Sequence, residues 1–255
     1  MPTFIVGFAR SGTTLCQRLV AEHFALATVP ETHFFECLPE HLPEGERLSR
    51  RQAQGLERIL KLFPAARFIA MVRSPFTALA SRRELAQPGR GWGEGWRPID
   101  DYARDWAWTQ QHIWQFAQAH PNALLQVRLE DLSRDADAEL ERIGRFLRRA
   151  PRRGRRLGQG RLLMPFETWK RGALGEADPA VAQRLGRSGL SPFERWRLSR
   201  LLAPQLAALG YSEDCPAPPM DALHQELLAT VDWFRPALPS VPLEQASPLM
   251  ASPTP

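Results

Sequence analysis

The stretch IVGFARSGTTL, residues 5–15, contains the clearest structural signal in the chain. It is an apolar run that ends in a turn of Gly, Arg and Ser, after which two threonines open a helical pattern. Short apolar runs bounded by a turn signal are typical of buried parallel strands. A strand that leads through such a turn into a helix N-terminus is a frequent anion-binding unit. The stretch therefore predicts an α/β protein with an anion site near its start.

The same loop lacks the lysine of a nucleotide-triphosphate loop. Gly7 and Gly12 keep the G-x-x-x-x-G spacing, but Thr13 stands where that lysine reaches the β and γ phosphates. The amides of residues 10–14, the hydroxyls and Arg10 remain. They suit a smaller, diphosphate-like anion that is handled without a metal. The alternative is a capping turn with no ligand, and the paired threonines with Arg10 favour the anion site.

Two more apolar runs, residues 66–72 and 124–129, predict further buried strands. Helical patterns separate them, and Pro75 is placed to begin one of these helices. This alternation predicts a P-loop-type, three-layer α/β/α fold with a mainly parallel central sheet and a helical C-terminal part. We expect one domain over residues 1–215, and a Pro-rich tail over 216–255 with one helix at most before a disordered end.

Composition narrows the class of protein. The three cysteines, Cys16, Cys37 and Cys215, are widely spaced and form no C-x-x-C pair, so neither a disulfide framework nor a metal site is expected. No window reaches the roughly 18 apolar residues of a membrane helix, and no signal peptide is recognisable. The sequence predicts a soluble, cytoplasmic protein.

Positive charge is concentrated in one segment. Residues 142–161 hold nine arginines and no acid, whereas the whole chain has a net charge of +5. Such a segment indicates an anionic partner without distinguishing a nucleic acid, a membrane surface or a small phosphorylated ligand.

Four stretches together resemble the sulfotransferase superfamily. FIVGFARSGTTL resembles its 5′-phosphosulfate loop, and FPAARFIAMVRSPFTALAS resembles its second signature, a strand followed by R-x-P and a serine. VRLEDL resembles its Y-E-D-L segment with Leu129 in place of the tyrosine, and the stretch that ends in L-G-Y at Tyr211 resembles its terminal helix. The resemblance covers about residues 3–211.

The resemblance implies 3′-phosphoadenosine 5′-phosphosulfate (PAPS) as co-substrate, with no metal. It implies that the 5′-phosphosulfate is bound by the loop residues Arg10, Ser11, Gly12, Thr13 and Thr14. Arg73 and Ser81, eight residues apart, are implied at the 3′-phosphate. A guanidinium can grip a phosphate with two hydrogen bonds, which suits Arg73 to this contact.

Catalysis needs a cation for the leaving group and a general base for the acceptor hydroxyl. Arg10 is expected to stabilise charge without donating its proton. By resemblance Glu31 is the first choice for the base, and His41 is the alternative. Either Arg152–Arg156 or Lys170–Arg171 is a candidate for an additional contact to the 3′-phosphate.

The sequence thus predicts a PAPS-dependent sulfotransferase that modifies a hydroxyl or amine. The acceptor, which could be a small molecule, carbohydrate, lipid or peptide, and the oligomeric state are left open. Trp92 and Trp96 lie in a Gly-rich stretch, residues 87–98, that is a candidate lid or simply a cover for the core.

An alternative function is a basic module that binds nucleic acid or anionic lipid and has a vestigial loop. No specific nucleic acid is expected, because aromatic residues do not interleave with the arginines. A kinase or NTPase is disfavoured by Thr13.

Overall fold

The structure is a computed structural model that describes residues 1–30, 48–85, 97–152 and 189–211. The strands are β1 (Thr3–Gly7), β2 (Arg67–Val72) and β3 (Leu124–Arg128). The helices are α1 (Thr13–His23), α2 (Leu48–Leu62), α3 (Pro75–Leu85), α4 (Ile99–Ala119), α5 (Leu129–Arg134), α6 (Ala136–Leu147), α7 (Pro192–Leu201) and α8 (Ala203–Ala208).

The three described strands form a parallel sheet in the order β1-β2-β3. Phe68 of β2 pairs with Phe4 on one side and Leu124 on the other. The predicted α/β fold with a parallel sheet is confirmed, and the predicted strands lie within one residue of the observed ones. Leu129 is the informative difference, because it begins α5 instead of ending β3.

Helices cover both faces of the sheet. Side chains of the central strand alternate, with Ile69 and Met71 in one hydrophobic cluster and Phe68 and Ala70 in another. The first cluster also contains side chains of α1 and α6, and the second contains side chains of α2 and α4. This alternation is the period of two that a strand imposes, and it produces the three-layer arrangement.

A third hydrophobic cluster joins the C-terminal helices to the beginning of the chain. It includes Phe8, which follows β1, together with Phe76 of α3 and Trp106 of α4. Leu198 of α7 and Tyr211, which follows α8, pack into the same cluster. The two ends of the described chain therefore meet beside the loop that follows β1.

The C-terminal helical pattern is interrupted at Leu202, where α7 ends and α8 begins. Pro204 lies in the first turn of α8. A proline has no backbone N–H and its ring clashes with the carbonyl four residues earlier, so one continuous helix would be strained here. After the break, α8 carries the chain to Tyr211.

Cys16 is a fully buried free thiol in the cluster between α1 and the sheet. Burial raises its pKa to about 12, so it remains a protonated core side chain at neutral pH. Cys37 and Cys215 lie outside the described residues. None of the helices in the described ranges is long and apolar enough to cross a bilayer.

Gly7, at the end of β1, is required by close packing against β2. A Cβ at this position would lie 2.5 Å from the backbone oxygen of Met71. We expect Gly7→Ala to lower the free energy of unfolding by about 1–3 kcal/mol, because backbone cannot yield as a flexible side chain can. Urea unfolding measures the change.

Gly189→Ala is the matched control, since a Cβ there would have no neighbour within 4 Å. Equal stabilities of the two variants would contradict the close approach of β1 and β2 at Gly7.

Candidate anion-binding site

The loop between β1 and α1 lies at the carboxyl end of the sheet, where ligands bind in parallel α/β folds. Arg10 and Gly12 have positive φ angles, 72° and 85°. Gly12 is the N-cap of α1, and a Cβ on it would lie 2.5 Å from Cδ1 of Leu129. Leu129 thus packs directly behind the loop. Glycine at position 12 allows both the left-handed turn and this contact.

Hydrogen-bond donors are available at the start of α1. The first amides of a helix have no acceptor within it, and the helix dipole favours an anion at that end. Thr13 and Thr14 are the first two residues of α1, and the first turn contains no acidic residue. Ser11 is fully buried, and its Oγ has no hydrogen-bond partner within the described part of the chain. A buried hydroxyl of this kind fits a loop that completes its hydrogen bonds with an anion.

Arg10 extends from the loop to α3. Its Nε donates a hydrogen bond to Oγ of Ser81 at 3.0 Å. Burial lowers the pKa of Arg10, while the carboxylate of Glu84 opposes that shift. The structure therefore joins the residue implied at the 5′-phosphosulfate to one implied at the 3′-phosphate.

Arg73 directly follows β2, two residues before α3 begins, and is only 7% exposed. Its Nε donates to Oγ1 of Thr77 at 2.9 Å, and its Nη1 donates to the backbone oxygen of Arg10 at 2.9 Å. Burial lowers the pKa of Arg73 to about 10, and Glu130 opposes the shift while Arg10 adds to it. The guanidinium remains protonated at neutral pH. A half-buried cation, Arg10, and a buried one, Arg73, thus lie close together at this edge of the sheet.

Glu130, in the first turn of α5, links this edge to the C-terminal end of the described chain. Its Oε1 accepts a hydrogen bond from the amide of Ser74 at 2.8 Å, and its Oε2 accepts one from the hydroxyl of Tyr211 at 2.8 Å. The guanidinium of Arg128 lies 4.2 Å from the centre of the Tyr211 ring. Burial raises the pKa of Tyr211, so the phenol is protonated at neutral pH and can donate this hydrogen bond.

Most sequence-predicted residues lie at this one edge. The structure places there the loop and α1 residues Arg10, Ser11, Gly12, Thr13 and Thr14, and it adds Arg73 and Ser81 through their contacts with Arg10. Glu31, His41, Lys170–Arg171 and both Trp92 and Trp96 of the candidate lid lie outside the described residues. Arg152 is the only member of Arg152–Arg156 that is described, and its amide donates to the backbone oxygen of His23 at 2.8 Å.

Sequence reasoning did not assign roles to Thr77, Glu130 or Tyr211. Thr77 lies in the first turn of α3, only four positions after Arg73, so its contact was accessible from the short sequence separation. Glu130 and Tyr211 are 81 positions apart, and their pairing depends on the packing of α8. No group of three or more His, Cys, Asp or Glu side chains in the described ranges could hold a metal ion.

A parallel sheet, helices on both faces and a glycine loop at a helix N-terminus define an α/β protein of the P-loop type. Residues 49–150 match the model described as "Sulfotransferase family". This segment contains β2, Arg73, Ser81, β3 and Glu130, but not the loop after β1. The family match and the loop motif therefore support the same class from separate parts of the chain. They confirm the resemblance to the sulfotransferase superfamily.

Two solved structures have a similar fold. One is the sulfotransferase domain of the olefin synthase from Synechococcus PCC 7002, with 19% identity and a TM-score of 0.50, and the match covers 79% of this chain and 94% of that one. The other is a sulfotransferase domain from the curacin biosynthetic pathway, with 16% identity and a TM-score of 0.50. This match covers 81% of the present chain and 98% of the curacin-pathway domain. No curated protein sequence matches the chain. Neither the family match nor these folds favour the alternative of a basic binding module.

Proposed function

We propose that this protein is a PAPS-dependent sulfotransferase that transfers a sulfuryl group to a hydroxyl or amine of its acceptor. The proposal is finer than the class that the family match supports, a transferase of the sulfotransferase superfamily. A cytoplasmic location and the domain limits 1–215 and 216–255 stay predictions.

The proposal rests chiefly on the meeting of Arg10, Arg73 and Ser81 at the N-terminal end of α1. The positive charge of Arg10 helps to lower the pKa of the buried Arg73, and an anion bound beside the two guanidinium groups would offset both charges. The Oγ of Ser11, which has no hydrogen-bond partner within the described ranges, and the first amides of α1, which have no acceptor inside the helix, add donors to the same place. PAPS carries two anionic groups on one ribose, and this edge of the sheet offers two cations with hydroxyls beside them.

The proposed reaction is an in-line displacement. The acceptor oxygen forms a bond to sulfur while the bond from sulfur to the 5′-phosphate oxygen breaks, and 3′-phosphoadenosine 5′-phosphate (PAP) leaves with the electron pair. The acceptor proton passes to a carboxylate base, for which Glu31 is proposed. Arg10 stabilises the negative charge that grows on the phosphate oxygen, without giving up a proton.

A thermal-shift titration with PAP tests the donor site. Ligand at a hundred times its dissociation constant adds about 2.7 kcal/mol of stability. The melting temperature of a chain of this size should rise by several degrees without added metal. The shift should shrink with adenosine 5′-phosphosulfate, which lacks the 3′-phosphate.

Adenosine diphosphate, ATP with Mg²⁺ and a short mixed DNA are the comparison ligands. No response to PAP together with a response to DNA would contradict the proposed function and favour the basic module. A response to ATP that requires Mg²⁺ would indicate an NTPase.

A further inference from the structure

We infer that Glu130 and Tyr211 form a positioning pair that holds the Arg73–Ser74 turn in the geometry needed to bind the 3′-phosphate of the donor. The inference rests on the proposed function and concerns residues that make no contact with the reacting atoms.

The backbone N–H of Ser74, in this turn, needs a hydrogen-bond acceptor that α3 cannot supply. The backbone oxygen of Ser74 accepts hydrogen bonds from the amides of Thr77 and Ala78, so Ser74 is the capping residue directly before α3, and its own N–H is not used by the helix. The next residue, Pro75, has no N–H. Ser74 is only 6% exposed, and a buried amide without an acceptor is costly. Oε1 of Glu130 is the acceptor.

The hydrogen bond from the Ser74 amide to Glu130 sets the backbone orientation of Arg73 through a single peptide bond. The N–H that Glu130 binds belongs to the peptide plane whose carbonyl is that of Arg73. Fixing this plane fixes the backbone direction from which the Arg73 side chain leaves β2. Thr77 and the backbone oxygen of Arg10 then hold the guanidinium itself. A bidentate contact to phosphate depends on the direction of the guanidinium as well as on its charge.

Tyr211 fixes the other oxygen of the same carboxylate. Its ring is 3% exposed and lies under the guanidinium of Arg128, and its amide donates to the backbone oxygen of Leu206. The backbone and the ring of Tyr211 are therefore both fixed by contacts, and its hydroxyl donates to Oε2 of Glu130. With both oxygens engaged, the Glu130 carboxylate cannot rotate to form a direct ion pair with Arg73 in place of the donor.

Three variants separate hydrogen bonding from charge. Glu130→Gln keeps an oxygen for the Ser74 amide and can donate to the Tyr211 oxygen, but it removes the charge. Tyr211→Phe keeps the ring and removes the donor. Glu130→Ala removes both contacts. Arg134→Ala, a change on the exposed side of the same helix α5, is the matched control, since its side chain is 73% exposed.

The measurements are dissociation constants for PAP and for adenosine 5′-phosphosulfate, by calorimetry, with melting temperatures alongside. We expect Glu130→Ala to weaken PAP about tenfold and adenosine 5′-phosphosulfate by much less, because only PAP uses the turn at Arg73. Tyr211→Phe should weaken PAP about threefold to tenfold, with the same preference. Glu130→Gln should bind PAP with an affinity that is either higher than that of the wild type or at most about threefold lower. The reason is that removal of a negative charge favours binding of an anion.

A purely structural role would lower the melting temperature without changing the ratio of the two affinities. An unchanged ratio in Tyr211→Phe and Glu130→Ala would therefore overturn the inference, and so would equal weakening of PAP by Glu130→Gln and Glu130→Ala. If Glu130→Ala does not fold, Tyr211→Phe and Glu130→Gln decide the question. Failure of the folded wild type to bind PAP would instead contradict the proposed function, and this inference with it.

Discussion

Arg73→Ala is expected to weaken PAP binding by about 1.5–3 kcal/mol, the usual cost of losing a hydrogen-bonded charged partner. Arg73 is buried, protonated at neutral pH and held by Thr77 and the Arg10 carbonyl. Its geometry is therefore set before a ligand arrives, and little ordering opposes the contact. Adenosine 5′-phosphosulfate, which lacks the 3′-phosphate, should lose much less affinity. Calorimetry with both ligands measures the difference.

Arg73→Lys is the informative companion variant. It keeps a positive charge but cannot form the planar fork, so its PAP affinity should fall between those of the wild type and Arg73→Ala. Arg134→Ala removes an exposed arginine from α5 and controls for overall charge. Equal losses for the two ligands in Arg73→Ala would refute the assignment of Arg73 to the 3′-phosphate.

Glu31→Gln is expected to reduce turnover by about 10²–10⁴-fold, the usual contribution of a general base. PAP affinity should remain nearly unchanged, because the base acts on the acceptor and not on the donor. The measurement is the rate of PAP formation from PAPS with an acceptor found in a substrate panel. Glu36→Gln, a second glutamate in the same stretch of sequence, is the matched control.

Retained turnover in Glu31→Gln would move the base elsewhere, and His41→Ala would then be the next variant. A loss of PAP affinity equal to the loss of turnover would indicate a binding role for Glu31. Comparison of the kcat and KM changes distinguishes these outcomes.

The sheet could be predicted because each of its strands has a local sequence pattern. Residues 3–8 and 66–72 are short, mainly apolar runs bounded by turn residues, and this signal does not depend on what packs against them. The loop could be predicted for the same reason, since Gly7, Gly12 and the threonines have a fixed spacing. Local patterns therefore gave both the fold class and the place of the anion site.

Contacts between distant residues could not be predicted in this way. The hydrogen bond from Arg10 to Ser81 joins the loop after β1 to α3 across 71 positions. The hydrogen bond from Tyr211 to Glu130 joins the residue that follows α8 to α5 across 81 positions. Such pairs depend on the crossing of helices over the sheet, which is set by packing of the whole core. The break at Leu202 was also missed, because the apolar spacing continues through Pro204 although the hydrogen bonding does not.

The shared cluster of Phe8 and Tyr211 has a consequence for synthesis on the ribosome. The loop emerges among the first residues, whereas the tyrosine that anchors Glu130 emerges some 200 positions later, at residue 211. A nascent chain that has exposed only β1 to α6 can pair its three strands, but it has neither α7 nor α8 to cover Phe8. Phe8 would still have Phe76 of α3 and Trp106 of α4 beside it, but the cluster and the Tyr211–Glu130 hydrogen bond would be completed only when the C-terminal helices dock.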